Sequence, residues 1–185
     1  MNFANIFLLH GKGGSPEGSV KQLEAALRPH LHGSSSAPVL FHRPRLLHSS
    51  PTVPAEESLA DLHMREIPKD SAVIGVSLGG LVAAKLQEEG REDLHVICIS
   101  SPTWADGVRL EKRPSNRVAF YSSADEVIAD RTDDWPKLAQ ALDLGWLTHD
   151  TDAHKLALAR LALAYLSGDS LQQTIQAIDS PIKRG

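Results

Sequence analysis

Ser77 stands in Gly75-Val76-Ser77-Leu78-Gly79-Gly80, a G-x-S-x-G pattern. A serine hydroxyl is a weak nucleophile. It must be held exposed, within reach of a base, and beside donors for the oxyanion that forms when it attacks an acyl carbon. A sharp strand-to-helix turn presents a side chain in this way, and the flanking residues supply that context. Ala72-Val73-Ile74 is a short, uniformly apolar run that fits a strand buried on both faces, and Leu81 to Leu86 reads as helix. Side chains at positions 75 and 79 would crowd the turn, so glycine suits both. The first helical turn also offers free N–H groups and the positive end of the helix dipole, which makes the Leu78 N–H one expected oxyanion donor. A glycine-rich turn holding an incidental serine would share the pattern, and the placement after a buried strand is what favours the nucleophile.

A second glycine-rich turn, His10-Gly11-Lys12-Gly13-Gly14, follows the apolar run Ile6-Phe7-Leu8-Leu9. It lacks the G-x-x-x-x-G-K-[ST] order of a phosphate loop, because Lys12 precedes the glycines it should follow. The better reading is an oxyanion loop, with the Lys12 N–H as second donor and the Lys12 side chain a solvated charge. His10 and Gly11 are candidates for the substrate pocket.

A nucleophilic serine needs a base, and the base an orienting carboxylate, here expected in the chain order serine, acid, histidine. Asp125 lies in Ser122-Ser123-Ala124-Asp125, just beyond the apolar run Arg117–Tyr121, with Val127-Ile128 to anchor it. Its neighbour Glu126 reads as solvated, and Asp133 and Asp134 as acids at a helix start. Two histidines follow in Thr148-His149-Asp150-Thr151-Asp152-Ala153-His154. His154 is preferred as the base because it opens the last long helix after a loop that can reach over the sheet edge. His149 reads as the end of a sixth strand, and Asp152 as the helix N-cap.

These residues need a scaffold that gathers them. Strand-like runs at Ile6–Leu9, Val39–Phe41, Ala72–Val76, Leu94–Ile99, Arg117–Tyr121 and Leu144–Leu147 alternate with helical patterns at 18–30, 55–66, 81–86, 134–142, 155–166 and 170–178. Such alternation argues an α/β fold, a three-layer α/β/α sandwich on a parallel sheet with helices on both faces. Ligands of open α/β sheets bind beyond the carboxyl ends of the strands, where every candidate above falls. His32 to Ala37 reads as a polar loop, and Pro181 to Gly185 as a frayed end.

The bulk properties narrow the class. The chain has 185 residues, a length suited to one domain with a real core, and a net charge of −4. That charge gives no nucleic-acid or anionic-membrane footprint, and no apolar run approaches the length of a membrane span. The N-terminal apolar stretch lacks a basic flank and leads into His10-Gly11, so it reads as a strand and not a signal peptide. Cys98 is the single cysteine, buried by its Val96-Ile97-Cys98-Ile99 context, which excludes an internal disulfide and fits a reducing, cytoplasmic setting. Nine histidines are many, but none falls in a recognised zinc spacing, so neither metal nor cofactor is expected.

Taken together, His10-Gly11, Gly75–Gly80, S-x-x-D at Ser122–Asp125 and Ala153-His154 resemble the α/β-hydrolase superfamily, in particular its small serine esterases without a cap domain. The resemblance runs from Ile6 to Ser170. It implies a minimal α/β-hydrolase sheet of order 2-1-3-4-5-6 and a Ser77–His154–Asp125 triad with Lys12 and Leu78 N–H as the oxyanion hole. The segment where many relatives insert a lid is only Thr103 to Asn116 here, which suggests an open site with Trp104 as a candidate for the substrate pocket. The expected function is hydrolysis of small carboxylic esters or thioesters, with a small-molecule ester as substrate and no nucleic-acid or membrane partner. A binding protein that keeps the fold without turnover, or an amidase or peptidase using the same triad, are the alternatives.

Overall fold

The computed structural model describes residues 3–31 and 38–179. The polar loop expected at His32–Ala37 and the frayed end expected at Pro181–Gly185 lie outside the described residues. Six strands form one sheet: β1 (Asn5–Leu9), β2 (Leu40–His42), β3 (Ala72–Val76), β4 (His95–Ile99), β5 (Arg117–Tyr121) and β6 (Gln140–Asp143). Their spatial order is β2-β1-β3-β4-β5-β6, with every pairing parallel. This is the 2-1-3-4-5-6 order that the resemblance implied.

Alternation along the strands builds two cores. In β1, Phe7 and Leu9 face one side and Ile6 and Leu8 the other; in β4, Val96 and Cys98 oppose Ile97 and Ile99. The first side is covered by α2 (Ala55–His63), α3 (Leu78–Glu88) and the short α4 (Trp135–Leu138). The second is covered by α1 (Ser19–Leu27), α5 (Lys155–Ser167) and α6 (Leu171–Asp179). Strands buried on both faces have no polar side to show, which is why β3 reads Ala-Val-Ile-Gly-Val with all five residues buried. Helix α5 stops at Gly168, whose φ of +77° makes the left-handed turn that closes a helix.

At the amino ends of the strands, Arg117 is fully buried. Its guanidinium meets Glu88 Oε1 at 3.3 Å, Gln87 Oε1 at 2.9 Å and the carbonyl of Ala84 at 2.8 Å, so the charge is neutralised and its donors used.

Two elements depart from the sequence reading. The strand expected at Leu144–Leu147 lies four residues earlier, at Gln140–Asp143, and the helix expected at 134–142 is one turn that ends at Leu138. Ala139 is already extended, at φ −154° and ψ 176°. The Thr103–Asn116 connection is not featureless: Trp104–Ala105 and Val108–Arg109 pair as a two-stranded antiparallel hairpin. Among the described residues no helix is long and apolar enough to cross a membrane.

Candidate active site

The carboxyl edge of the sheet collects the chemistry-bearing residues. Ser77 joins β3 to α3 at φ +52° and ψ −125°, a strained conformation for a residue with a side chain. Its backbone N–H donates to Ile99 O at 2.8 Å, and its carbonyl accepts from Gly80 N–H at 3.0 Å. The turn closes this tightly only because its neighbours lack side chains. A Cβ on Gly75 would lie 2.4 Å from the Gly79 carbonyl carbon, and one on Gly79 would lie 2.3 Å from Leu9 O. The glycines expected from the motif are therefore required by backbone-to-backbone contact, at distances no Cβ tolerates.

Ser77 Oγ lies 3.1 Å from His149 Nε2, and His149 Nδ1 lies 3.0 Å from Asp125 Oδ2. Asp125 is 2 % exposed, and its other oxygen accepts the Val127 N–H at 2.9 Å. With Nδ1–H given to the carboxylate, Nε2 is free to accept the serine proton. The row is thus Ser77, His149, Asp125.

The expectation that His154 would reach Ser77 is corrected. His154 is the residue before α5, its Nε2 lies 3.1 Å from Thr148 Oγ1, and its ring packs against Trp146 at 5.3 Å. The displacement of β6 explains the error. Because the strand ends at Asp143, the buried Leu144 and Leu147 belong to the turn that follows it, and His149 falls in the crossing loop where His154 was expected. His154 is carried past the site by a 3₁₀ turn, Thr151–His154. That turn is capped by Asp150, whose side chain accepts the Asp152 N–H, so Asp152 is not the cap of α5.

A cleft of about 430 Å³ opens over Ser77, bounded by the oxyanion loop, the hairpin tip, Ile128 and Arg131, and the His149–Asp152 segment. Gly11 lines it and approaches the nucleophile closely: a Cβ there would sit 3.0 Å from the Ser77 Cβ. Among the described residues, the backbone N–H groups of Lys12 and Leu78 are given to no other protein group. Both residues line the cleft, so both donors remain available at the place the oxyanion reading requires.

The other pocket candidates fall elsewhere. His10 is 1 % exposed and lies beneath the loop, not in the cleft. Its Nδ1 donates to Gly11 O at 2.8 Å and its Nε2 accepts the Leu46 N–H at 3.1 Å. Burial lowers its pKa below the usual histidine value, in keeping with a neutral ring that both donates and accepts. Trp104 lies outside the cleft lining, with the guanidinium groups of Arg109 and Arg131 over its ring at 5.5 and 5.8 Å.

One contact had no signal in the sequence. Lys12, expected to be a free surface charge, forms an ion pair with Asp106 at the hairpin tip. Both residues line the cleft, so the pair ties the hairpin to the oxyanion loop and narrows the open mouth expected of so short a connection.

No protein-family profile and no curated protein matches the chain at the level of sequence. Solved structures do match. A protein from Xanthomonas campestris described as a putative hydrolase of the alpha/beta superfamily superposes with a TM-score of 0.63 at 18% identity, covering 94% of this chain and 99% of that one. Alpha/beta hydrolase domain-containing protein 10 from mouse gives 0.63 at 10% identity, over 95% and 90% of the two chains. Est1E from Butyrivibrio proteoclasticus, solved with ferulic acid bound, gives 0.62 at 11% identity, over 88% and 89%. The chain has the fold of the α/β-hydrolase superfamily. Along this sheet Ser77 follows β3, Asp125 follows β5 and His149 follows β6.

Proposed function

We propose that the protein is a serine hydrolase that cleaves small carboxylic esters or thioesters through an acyl-enzyme. The observation that carries this reading is the hydrogen-bonded row from Ser77 Oγ through His149 to Asp125, set on a strained elbow beside two free backbone donors. Ser77 Oγ attacks the acyl carbon while its proton passes to His149 Nε2. Asp125 fixes the Nδ1–H tautomer and stabilises the imidazolium. The oxyanion is held by the Lys12 and Leu78 N–H groups. Collapse of the tetrahedral intermediate breaks the bond to the alcohol or thiol, which leaves with the proton from His149. Water then attacks the acyl-serine, gives its proton to His149, and the acid departs as Ser77 regains its hydrogen.

The cleft favours short acyl groups. Its lining sets the charged Lys12, Asp106, Arg131, Asp150 and Asp152 among apolar side chains such as Val76, Leu78 and Ile128, so no continuous apolar wall is there to cover a long chain. A fluorophosphonate probe should label the wild-type protein and fail to label Ser77→Ala. A folded wild-type protein that is not labelled overturns the reading. Among p-nitrophenyl esters from acetate to palmitate, butyrate should be turned over faster than palmitate, and the reverse order overturns the chain-length preference.

A further inference from the structure

Beneath the oxyanion loop lies a buried histidine that the chemistry above leaves unused. His48 sits on the 3₁₀ turn Leu47–Ser49 between β2 and α2 and is fully buried. Its Nε2 donates to the backbone carbonyl of His10 at 2.9 Å. Its own carbonyl accepts the Gly13 N–H at 2.9 Å, and its own N–H is given to Ser58 Oγ on α2, also at 2.9 Å. One residue thus grips the loop on both sides of Lys12, at His10 before it and at Gly13 after it. The neighbouring Leu46 N–H adds a bond to His10 Nε2, and the loop closes on itself through Gly14 N–H to Gly11 O at 3.0 Å.

The other ring nitrogen, His48 Nδ1, is buried and has no partner among the described residues. A buried polar atom without a partner is destabilising, and an aromatic ring without nitrogens would fill the same space free of that cost. The imidazole therefore makes sense here for its Nε2–H, the one side-chain donor in the turn that meets the His10 carbonyl. We propose that His48 is a positioning residue for the oxyanion loop, holding the Gly11–Lys12 peptide beside Ser77 through its bonds to His10 and Gly13. The inference rests on the serine-hydrolase reading, in which the Lys12 N–H is a donor to the oxyanion. His48 touches neither substrate nor reacting atoms and acts through the loop.

The test compares His48→Gln with His48→Asn, two polar variants of the same site. The Gln amide nitrogen can stand where Nε2 stood, whereas the Asn amide cannot reach the His10 carbonyl. Turnover of p-nitrophenyl butyrate and the rate of fluorophosphonate labelling are measured at 25 °C, with thermal melting recorded alongside. His48→Gln should keep kcat within about threefold of wild type; His48→Asn should lose on the order of thirtyfold or more in kcat and in labelling rate, with KM changed less than about threefold. A purely structural role would lower the melting temperature of both variants and leave kcat alike. Equal kcat values in folded His48→Gln and His48→Asn therefore overturn the proposal. Should His48→Asn fail to fold, Ser58→Ala, which removes only the acceptor of the His48 N–H, is read in its place: a lowered kcat at unchanged KM supports the proposal and an unchanged kcat overturns it. Failure of the parent reading is separate and visible in the same assays, because Ser77→Ala would then retain turnover and labelling.

Discussion

Below the cleft, the elbow that carries Ser77 is packed against backbone. Gly75 and Gly79 are in contact with each other and with Leu9, the serine N–H is bonded to β4, and all of β3 is buried. The loop that carries His149 is built the other way. It leaves an edge strand with exposed ends, its histidine side chain is 28% exposed, its Thr148 carbonyl accepts the Ser100 hydroxyl at 3.4 Å, and its His149 carbonyl accepts the Thr151 N–H of the next turn. Its anchor is the fully buried Asp125 side chain, which belongs to another strand end. The nucleophile is thus positioned by local covalent geometry and close packing, and the base by a long-range hydrogen bond. The two halves should fail differently when perturbed.

The largest effects test the row itself. Ser77→Ala and His149→Ala should each lower kcat by on the order of a hundred-thousandfold or more, and their double mutant should be little worse than either alone, because the residues act as a unit. His154→Ala should leave kcat within about threefold, since its ring is occupied by Thr148 and Trp146. An inactive His154→Ala beside an active His149→Ala would reverse the assignment. Asp125→Asn comes next, with a loss of roughly ten-thousandfold in kcat at nearly unchanged structure, because an amide there favours the wrong imidazole tautomer.

Packing in the elbow gives the next effect, and it appears in stability. In Gly79→Ala the new Cβ would have to displace the carbonyls of Leu9 and His10, which lie 2.3 and 2.5 Å from its ideal position. Overpacking of this kind costs about 1–3 kcal/mol and, at this chain length, lowers the melting temperature by roughly 3–10 °C. A wild-type melting curve would show that the elbow is less rigidly packed than its contacts require.

The same contrast explains what could be read from the residues alone. The elbow, the glycine-rich loop after β1, the strands and the acid after β5 were legible because each rests on a local pattern: glycines at contact positions, apolar runs buried on two faces, and an acid one turn beyond a strand; the sheet order came only from the family resemblance. The base was not legible, because its place depends on β6. Gln140-Ala141-Leu142-Asp143 carries no β-branched residue and pairs only with β5, so nothing in its own composition marks it as a strand. The more apolar Leu144-Gly145-Trp146-Leu147 looks like a strand yet forms the buried turn after it. A four-residue misplacement of that strand moved the histidine one position down the list. The burial of His48 is illegible for a similar reason, since the contacts that bury it come from α2 and the oxyanion loop and leave no trace in its neighbours. The hairpin and the Lys12–Asp106 pair, whose partners lie 94 positions apart in sequence, belong to the same long-range class.

The smallest effect concerns pH and bears on the ground beneath the oxyanion loop. Burial lowers the pKa of both His48 and His10 below the usual value near 6.5. For His48 the bond to the His10 carbonyl acts in the opposite direction. The His10 ring and Lys12 add to the lowering, and Asp106 opposes it. For His10, Arg45 adds to the lowering and the bond to Gly11 opposes it. The folded chain therefore holds these rings neutral over a range in which the unfolded chain has begun to bind protons. Below about pH 6.5 the unfolded state carries more protons than the folded one, so stability is complete above that pH and declines as the pH falls toward the lowered native values. The melting temperature of the wild-type protein should accordingly drop between pH 7 and pH 5, and His48→Gln, which removes one of the two titrating rings, should show a shallower drop. Equal slopes in the two proteins would mean that His48 titrates alike in both states, and would remove the buried, neutral histidine from beneath the oxyanion loop.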